Sequence, residues 1–371
     1  MVRRLLYLNG LAILFVILFH TTGWGLTAMF AWTPRYLSVN EPVFYQTGSL
    51  PYYWIRFAEQ VIAVAVPAFL FVSGYFIAFT TGHRSNLAWT QIWGRIKALL
   101  IPYAIWSVLI WVSSFVLLGE VVSPLGYVTN FLIGSTEITY YYVPLLIQYF
   151  ALSPLIIPLA RNKWVPLLIV TGMFQFVYQI GIMMELLYGY DNIPGWAGWL
   201  AYMPKWLFLA RLFWFVLGVV VGFHITQFKQ FLDRFKWIFL VITIACLPLG
   251  MLEWEAMFRF SGRDYLNMRE TILDSIYSLS FIFTLLAFTN SSLPWNKQVS
   301  DLGVKSFGIY LTHYTAQTYV AKAIYWLAPW MLGIQILFQP IIMFVGVAAP
   351  LLLMYIVEKT FLRKYYSYLF G

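Results

Sequence analysis

Residues 11–20 read LAILFVILFH, nine apolar residues followed by a histidine. Apolar stretches of roughly 20 residues recur along the 371-residue chain, and a helix of that length spans the ~30 Å hydrocarbon core of a bilayer. The composition agrees, since 61% of the residues are hydrophobic and 10% are charged, against about 25% charged in soluble domains. The sequence therefore predicts an all-α, polytopic membrane protein.

The breaks between these apolar stretches predict ten transmembrane helices in one bundle, forming a single domain over residues 1–371. Most of the 23 Lys and Arg residues then fall on the same side of the membrane as the N-terminus. The positive-inside rule makes that side the cytoplasm of a cell with a plasma or inner membrane, and an even number of spans returns the C-terminus to the same side. This topology and anionic lipid account for the net charge of +9, and no nucleic-acid partner is expected. The predicted spans are 5–31, 55–79, 98–118, 139–160, 164–188, 206–226, 236–250, 270–290, 304–328 and 331–357.

The connections between the spans differ in character on the two sides of the membrane. On the cytoplasmic side, residues 83–97 and 227–236 mix aromatic and basic residues and predict helices that lie on the membrane surface. On the outer side, residues 32–54, 189–205 and 251–269 are rich in Trp, Tyr, Pro and Gly. That composition suits an aromatic belt at the lipid headgroups and equally a surface on which sugars stack.

Two histidines lie inside the predicted spans. At 1.5 Å per residue, His20 lies about 22 Å along a helix that begins near Leu5, and His313 lies about 12 Å into the ninth span. Ionisable residues at this depth are rare and indicate function, although a neutral histidine bonded to a backbone carbonyl is the structural alternative. The two rings can share one cleft if their helices are neighbours. The histidines have no metal-ligand spacing, so no metal site is expected.

Other polar residues occur near the ends of the spans. Ser73 and Gly74 lie deep in the second span, where a glycine also permits close helix packing. Arg95 and Lys97 precede the third span, where cations can hold a phosphate or anchor the helix at lipid headgroups. Glu137 comes just before the fourth span and is followed by three consecutive tyrosines.

Five segments in order resemble the acyltransferase-3 family of integral membrane acyltransferases, which modify cell-envelope glycans, lipids and related acceptors. Each segment is mostly apolar and weak alone, but their order across residues 10–314 makes the pattern specific. One position departs: many members carry an arginine eleven residues before the first-span histidine, and this chain has Asn9 there. The segments are GLAILFVILFH (10–20), PAFLFVSGYF (67–76), RIKALLIPYAIW (95–106), YYVPLLIQYFALSP (141–154) and SFGIYLTHY (306–314).

The resemblance implies a donor and an acceptor. The donor is a cytoplasmic acyl-CoA, most often acetyl-CoA, and the acceptor is a hydroxyl group, usually of a sugar or glycolipid. His20 is implied as the general base that removes the hydroxyl proton during attack on the thioester. Glu59 or Glu137 is expected to orient its ring, as in a catalytic triad. The residues expected to bind the donor are Ser73, Arg95, Lys97, Tyr142 and His313.

A transporter or flippase of glycans or small acids is the alternative function, with His20 and Glu59 lining its path. The sequence shows no inverted repeat and no pair of broken helices, which are typical of transporters. The identity of the acceptor, the acyl group and the oligomeric state are left open at this stage.

Overall fold

The computed structural model describes residues 2–44, 46–263, 266, 270–289 and 291–371. Regular structure in these ranges is helical, which satisfies the backbone polar groups inside lipid. The α-helices are α1 Val2–Leu26, α2 Leu50–Ile62, α3 Ala65–Thr81, α4 Trp89–Leu118, α5 Pro124–Ile133, α6 Tyr142–Asn162, α7 Trp164–Tyr188, α8 Gly195–Ala201, α9 Leu212–Phe223, α10 Ile225–Ser261, α11 Ile272–Ala287, α12 Asn296–Val304, α13 Ser306–Leu327, α14 Gln335–Lys359 and α15 Tyr366–Phe370.

Seven helical stretches among the described residues are long and apolar enough to cross a membrane. The prediction of an all-α, multi-pass membrane protein is thereby confirmed. Three further predicted spans correspond to the shorter apolar helices Phe208–Phe223 and Ile272–Ala287 and to α13. The count of ten and the cytoplasmic termini stay predictions. The seven stretches are Val2–Met29, Leu50–Thr81, Trp89–Leu117, Tyr142–Asn162, Trp164–Tyr188, Ile225–Ser261 and Gln335–Lys359.

Two predicted boundaries were wrong. The seventh span was expected at 236–250 with a separate surface helix at 227–236, but α10 runs unbroken for 37 residues. Likewise, the segment expected as a surface helix at 83–97 becomes the first turns of α4 from Trp89 onward. In both places the amphipathic segment leads into the apolar one without a residue that ends a helix, so the backbone hydrogen bonding simply continues.

The chain divides into two compact units. Unit 1 comprises Met1–Ala68, Ile182–Pro194 and Leu232–Leu353, and unit 2 comprises Phe69–Gly181, Gly195–Phe231 and Met354–Gly371. The predicted single domain over 1–371 stays a prediction.

Close packing of α1 against α12 organises unit 1. A Cβ atom added to Gly10 would lie 1.8 Å from the carbonyl oxygen of Val299, and one added to Gly303 would lie 2.1 Å from that of Leu6. Small residues at such positions let helix backbones approach each other, which is the main packing device available within lipid. The chain thereby holds the N-terminal half of α1 directly against α12.

In unit 2, glycines likewise allow close backbone contact between α3 and α9. A Cβ atom added to Gly74 would lie 2.0 Å from the carbonyl oxygen of Phe215, and one added to Gly218 would lie 2.0 Å from that of Phe71. The Tyr149 ring of α6 stacks on the Phe215 ring of α9 with centroids 4.9 Å apart. Gly74 therefore serves helix packing, the alternative that the sequence left open.

Candidate functional site

The two intramembrane histidines are neighbours in unit 1. His20 lies on α1 and His313 on α13, and their ring centroids are 5.4 Å apart. The His20 ring also lies edge-on to the ring of Tyr314, at 4.8 Å. The condition that the sequence analysis set for a shared site, that these two helices be adjacent, is met.

His313 is fully buried, and its protonation is constrained by the backbone of its own helix. Its Nδ1 atom lies 3.1 Å from the carbonyl oxygen of Ile309 and 2.9 Å from that of Tyr310. A carbonyl accepts hydrogen bonds, so Nδ1 carries the proton and donates. The opposite nitrogen, Nε2, is then an acceptor, and it is buried without a hydrogen-bond partner among the described residues. Buried acceptors of this kind are uncommon and suggest a site prepared for a donor.

Gln317 lies one turn beyond His313 and ties three helices of unit 1 together. Its Nε2 atom donates to the carbonyl of Ile17 at 3.1 Å, to Oγ1 of Thr21 at 2.9 Å and to the carbonyl of Ile342 at 3.3 Å. Ile17 and Thr21 flank His20 on α1. Gln317 therefore holds the helix of one histidine against the helix of the other. The sequence analysis missed it, although a glutamine one turn after His313 in an apolar helix was a usable signal.

Aromatic side chains continue the site beyond His20. The Trp24 ring stacks on Tyr314, with centroids 6.2 Å apart, and lies 5.3 Å from the ring of Trp32. Trp24 is one turn after His20 on α1, so these partly exposed rings extend the site along that helix.

Asn9 stands where many family members have arginine, and it has a packing role here. Its Nδ2 atom donates to the carbonyl of Gly303 at 2.7 Å and to Oγ of Ser306 at 2.8 Å. These two acceptors lie on either side of the junction between α12 and α13. Asn9 therefore joins α1 to the beginning of the helix that carries His313.

The two carboxylates expected to orient His20 are placed differently. Glu59 lies in unit 1, and its Oε2 atom accepts a hydrogen bond from Nη1 of Arg56 at 2.5 Å. Its charge is thus compensated locally by Arg56. Glu137 belongs to unit 2 and lies in the turn before α6. An orienting role for either residue stays a prediction.

The residues expected to bind the donor, other than His313, all lie in unit 2. The side chains of Ser73 and Tyr142 share a hydrogen bond. Arg95 is half-buried, and its Nη2 donates to Oγ1 of Thr80 at 2.8 Å. Lys97 is exposed instead, with its ammonium 5.7 Å from the centroid of the Trp93 ring. Residues two apart on a helix point to different sides, so α4 separates the two cations that the sequence analysis paired.

The long apolar helices define a multi-pass membrane protein, and the pair of His20 with the buried His313 defines a polar site between α1 and α13. The acyltransferase-3 family model, described as an acyltransferase domain, matches residues 4–355, and the chain belongs to this family. The resemblance read from the five segments is thereby confirmed, and with it the general activity of a membrane acyltransferase.

Curated relatives are distant in sequence. The chain is 22% identical over 263 residues to a probable poly-beta-1,6-N-acetyl-D-glucosamine export protein of Staphylococcus aureus strain MRSA252. The alignment covers 69% of this chain and 70% of that protein. Proteins of the same name from strains MSSA476 and MW2 give the same identity and coverage. The search of solved structures found no significant match.

Proposed function

We propose that this protein transfers an acyl group, in the simplest case acetyl, from acyl-CoA to a hydroxyl group of a cell-envelope glycan, with His20 as general base. The observation that carries the proposal is the pairing of His20 with His313 at 5.4 Å. Membership of the family supports acyl transfer, and the polysaccharide in the relatives' printed name supports a glycan acceptor.

The two histidines have different tasks in this proposal. The Nδ1 of His313 is held by backbone carbonyls and its Nε2 has no partner among the described residues; we propose that Nε2 accepts a hydrogen bond from an N–H group of the His20 ring during the reaction. This contact orients His20 and leaves its other nitrogen free of a proton, which is the division of labour within a catalytic triad. His313 thus takes the orienting role that the sequence analysis gave to Glu59 or Glu137.

The reaction then proceeds by one attack and one departure. His20 removes the proton from the acceptor hydroxyl while that oxygen forms a bond to the thioester carbonyl carbon. The carbon–sulfur bond breaks, and the leaving thiolate of coenzyme A receives the proton from the His20 imidazolium. An ester and free coenzyme A are the products, so protons and bonds balance without a further reactant.

Arg95 is the main donor-binding residue in this proposal. Its half-buried guanidinium keeps terminal N–H groups beyond the one used on Thr80, and guanidinium groups bind phosphate oxygens in a bidentate manner. Ser73 and Tyr142 are proposed to contact the donor in the same unit. Lys97 contributes longer-range attraction, since it points to a different side of α4.

The test is acyl transfer by the purified protein in lipid vesicles supplied with radiolabelled acetyl-CoA and glycan. His20→Ala is expected to lower kcat by about 10²-fold to 10⁴-fold, the usual contribution of a general base. His83→Ala is the matched control, because His83 is an exposed histidine outside the site. Wild-type rates in His20→Ala would refute the assignment of the base.

Export is the second candidate, because the relatives' printed name describes an export protein. In this alternative, His20 and Glu59 line a path for the glycan. Cells that carry His20→Ala distinguish the two functions. The acyltransferase predicts glycan that reaches the surface without acyl groups, whereas the exporter predicts loss of surface glycan with its acylation unchanged.

A further inference from the structure

A cleft of about 270 Å³ opens in unit 1 between the beginning of α2 and the end of α10. Its lining residues lie between positions 47 and 53 and, on α10, between positions 254 and 259. Both stretches fall within segments predicted as outer connections, 32–54 and 251–269, whose aromatic residues suited either a lipid belt or a surface for sugars. The mechanism proposed above makes no use of it. Its lining combines aromatic rings with a small number of charged and hydroxyl groups, the usual composition of a small-molecule site.

The inner wall of the cleft is aromatic. Trp254 and Phe258 lie one turn apart on α10, and their rings stack with centroids 5.1 Å apart and planes 14° apart. The Tyr52 ring of α2 meets Trp254 edge-on at 5.5 Å. Tyr52 and Trp254 are 0% and 5% exposed and form the packed base of the wall, whereas Tyr53 and Phe258 are partly exposed and are the rings that a ligand in the cleft can contact.

The Arg56 side chain packs against two of these aromatic rings. Its guanidinium carbon lies 5.0 Å from the ring centroids of both Tyr52 and Trp254. The residue is 3% exposed, and Glu59 neutralises its charge. A desolvated guanidinium packed against two rings stabilises their positions. The wall is therefore rigid before any ligand arrives, which lowers the entropic cost of binding.

The mouth of the cleft carries an oriented carboxylate. Oε1 of Glu255 accepts a hydrogen bond from Nε of Arg259 at 2.6 Å, and its Oε2 accepts one from the hydroxyl of Tyr53 at 3.2 Å. Each carboxylate oxygen still has a lone pair for a ligand hydroxyl, and the exposed Arg259 retains terminal N–H groups. Thr47 also lines the cleft, and its Oγ1 atom is buried at the cleft wall without a partner among the described residues.

We propose that this cleft binds one sugar ring of the glycan acceptor. The inference rests on the proposed function and names the acceptor-binding part of that same activity. The volume is slightly below the ~300 Å³ at which sites for drug-sized ligands begin, so it suits one ring and not an oligosaccharide. Both guanidinium groups at the cleft are already paired with carboxylates, which favours a neutral, hydroxyl-bearing ligand over a phosphate headgroup.

Binding measurements on the purified full-length protein in detergent test the proposal, with the methyl glycosides of N-acetylglucosamine and glucose as probes. Thr47→Val keeps the shape of the side chain and removes its hydroxyl. We expect about fivefold to tenfold weaker binding of the preferred probe with no loss of thermal stability, because the hydroxyl removed has no partner to lose. Glu255→Ala is expected to weaken binding by about tenfold or more, since hydrogen bonds to charged groups are the stronger ones.

Asp301→Asn is the matched control, since Asp301 also forms an i,i+4 ion pair, with Lys305 at 3.7 Å, and lies outside the cleft. It is expected to bind the probes as wild type does. Wild-type affinity in both Thr47→Val and Glu255→Ala would overturn the proposal. So would displacement of the bound sugar by glycerol phosphate at lower concentration than by free sugar, because the site would then be one for lipid headgroups.

Kinetics separate a failure of this inference from a failure of the proposed function. In the acyl-transfer assay, Glu255→Ala is expected to raise KM for the acceptor about tenfold, with KM for acyl-CoA and kcat unchanged. Acyl transfer with unchanged acceptor KM would refute the cleft and leave the function standing. Sugar binding that depends on Thr47, in a protein that transfers no acyl group, would refute the function and leave the cleft.

Discussion

The substitution Gly10→Ala tests the packing that holds α1 in place. The added Cβ atom would lie 1.8 Å from the carbonyl oxygen of Val299, whereas ordinary van der Waals contact begins at 3.4 Å. The obstacle is backbone of α12, which cannot rotate aside as a side chain can. Overpacking of a well-packed core costs about 1–3 kcal/mol, and a clash between two helix backbones belongs at the upper end of that range.

A second glycine on the same helix provides the control. In the part of the chain that the structure describes, no atom lies within 4 Å of a Cβ added to Gly23, so Gly23→Ala adds a methyl group to open space. Alanine is also a better helix former than glycine by up to about 1 kcal/mol. The same chemical change should therefore destabilise the protein at position 10 and leave it unchanged or slightly stabilised at position 23.

Thermal unfolding in detergent, followed by size-exclusion chromatography after heating, measures both variants against wild type. We expect Tm to fall by several degrees in Gly10→Ala and to stay equal or rise in Gly23→Ala. Gly303→Ala should resemble Gly10→Ala, because its Cβ would meet the Leu6 carbonyl oxygen at 2.1 Å from the other side of the interface. Equal Tm values for Gly10→Ala and Gly23→Ala would refute the packing of α1 on α12.

Two further predictions concern the site. Gln317→Leu removes two N–H donors shared among three acceptors, worth about 0.6 kcal/mol per bond between membrane helices, but it also removes the acceptor Oε1, which has no partner among the described residues. We expect stability to fall by about 1 kcal/mol and kcat to fall by more than that when both changes are expressed as free energies. A kcat equal to wild type would contradict the role of Gln317 in holding the helix of His20 against that of His313. Arg95→Ala should raise KM for acyl-CoA with little change in kcat, whereas Lys229→Ala, which removes another exposed cation, should leave both unchanged. An unchanged KM in Arg95→Ala would remove this residue from the donor site.

The sequence by itself determined the class of the protein. Hydrocarbon thickness sets the length of an apolar helix, and this constraint acts on each segment separately, so composition and segment length predict membrane helices. The order of five short segments then identified the family, and depth along α1 singled out His20. The ends of the helices were less certain, as the 37 residues of α10 demonstrate.

The tertiary structure decided which residues meet. Lipid tails and helix interfaces are both apolar, so the hydrophobic pattern of a membrane helix does not reveal which face turns toward a neighbour. The contact of His20 with His313, the three bonds of Gln317 and the cleft at Trp254 all depend on pairings between distant segments. The helical spacing of Arg95 and Lys97 already placed them on different sides of α4, but only the tertiary structure showed that Arg95 bonds Thr80 while Lys97 is exposed beside Trp93.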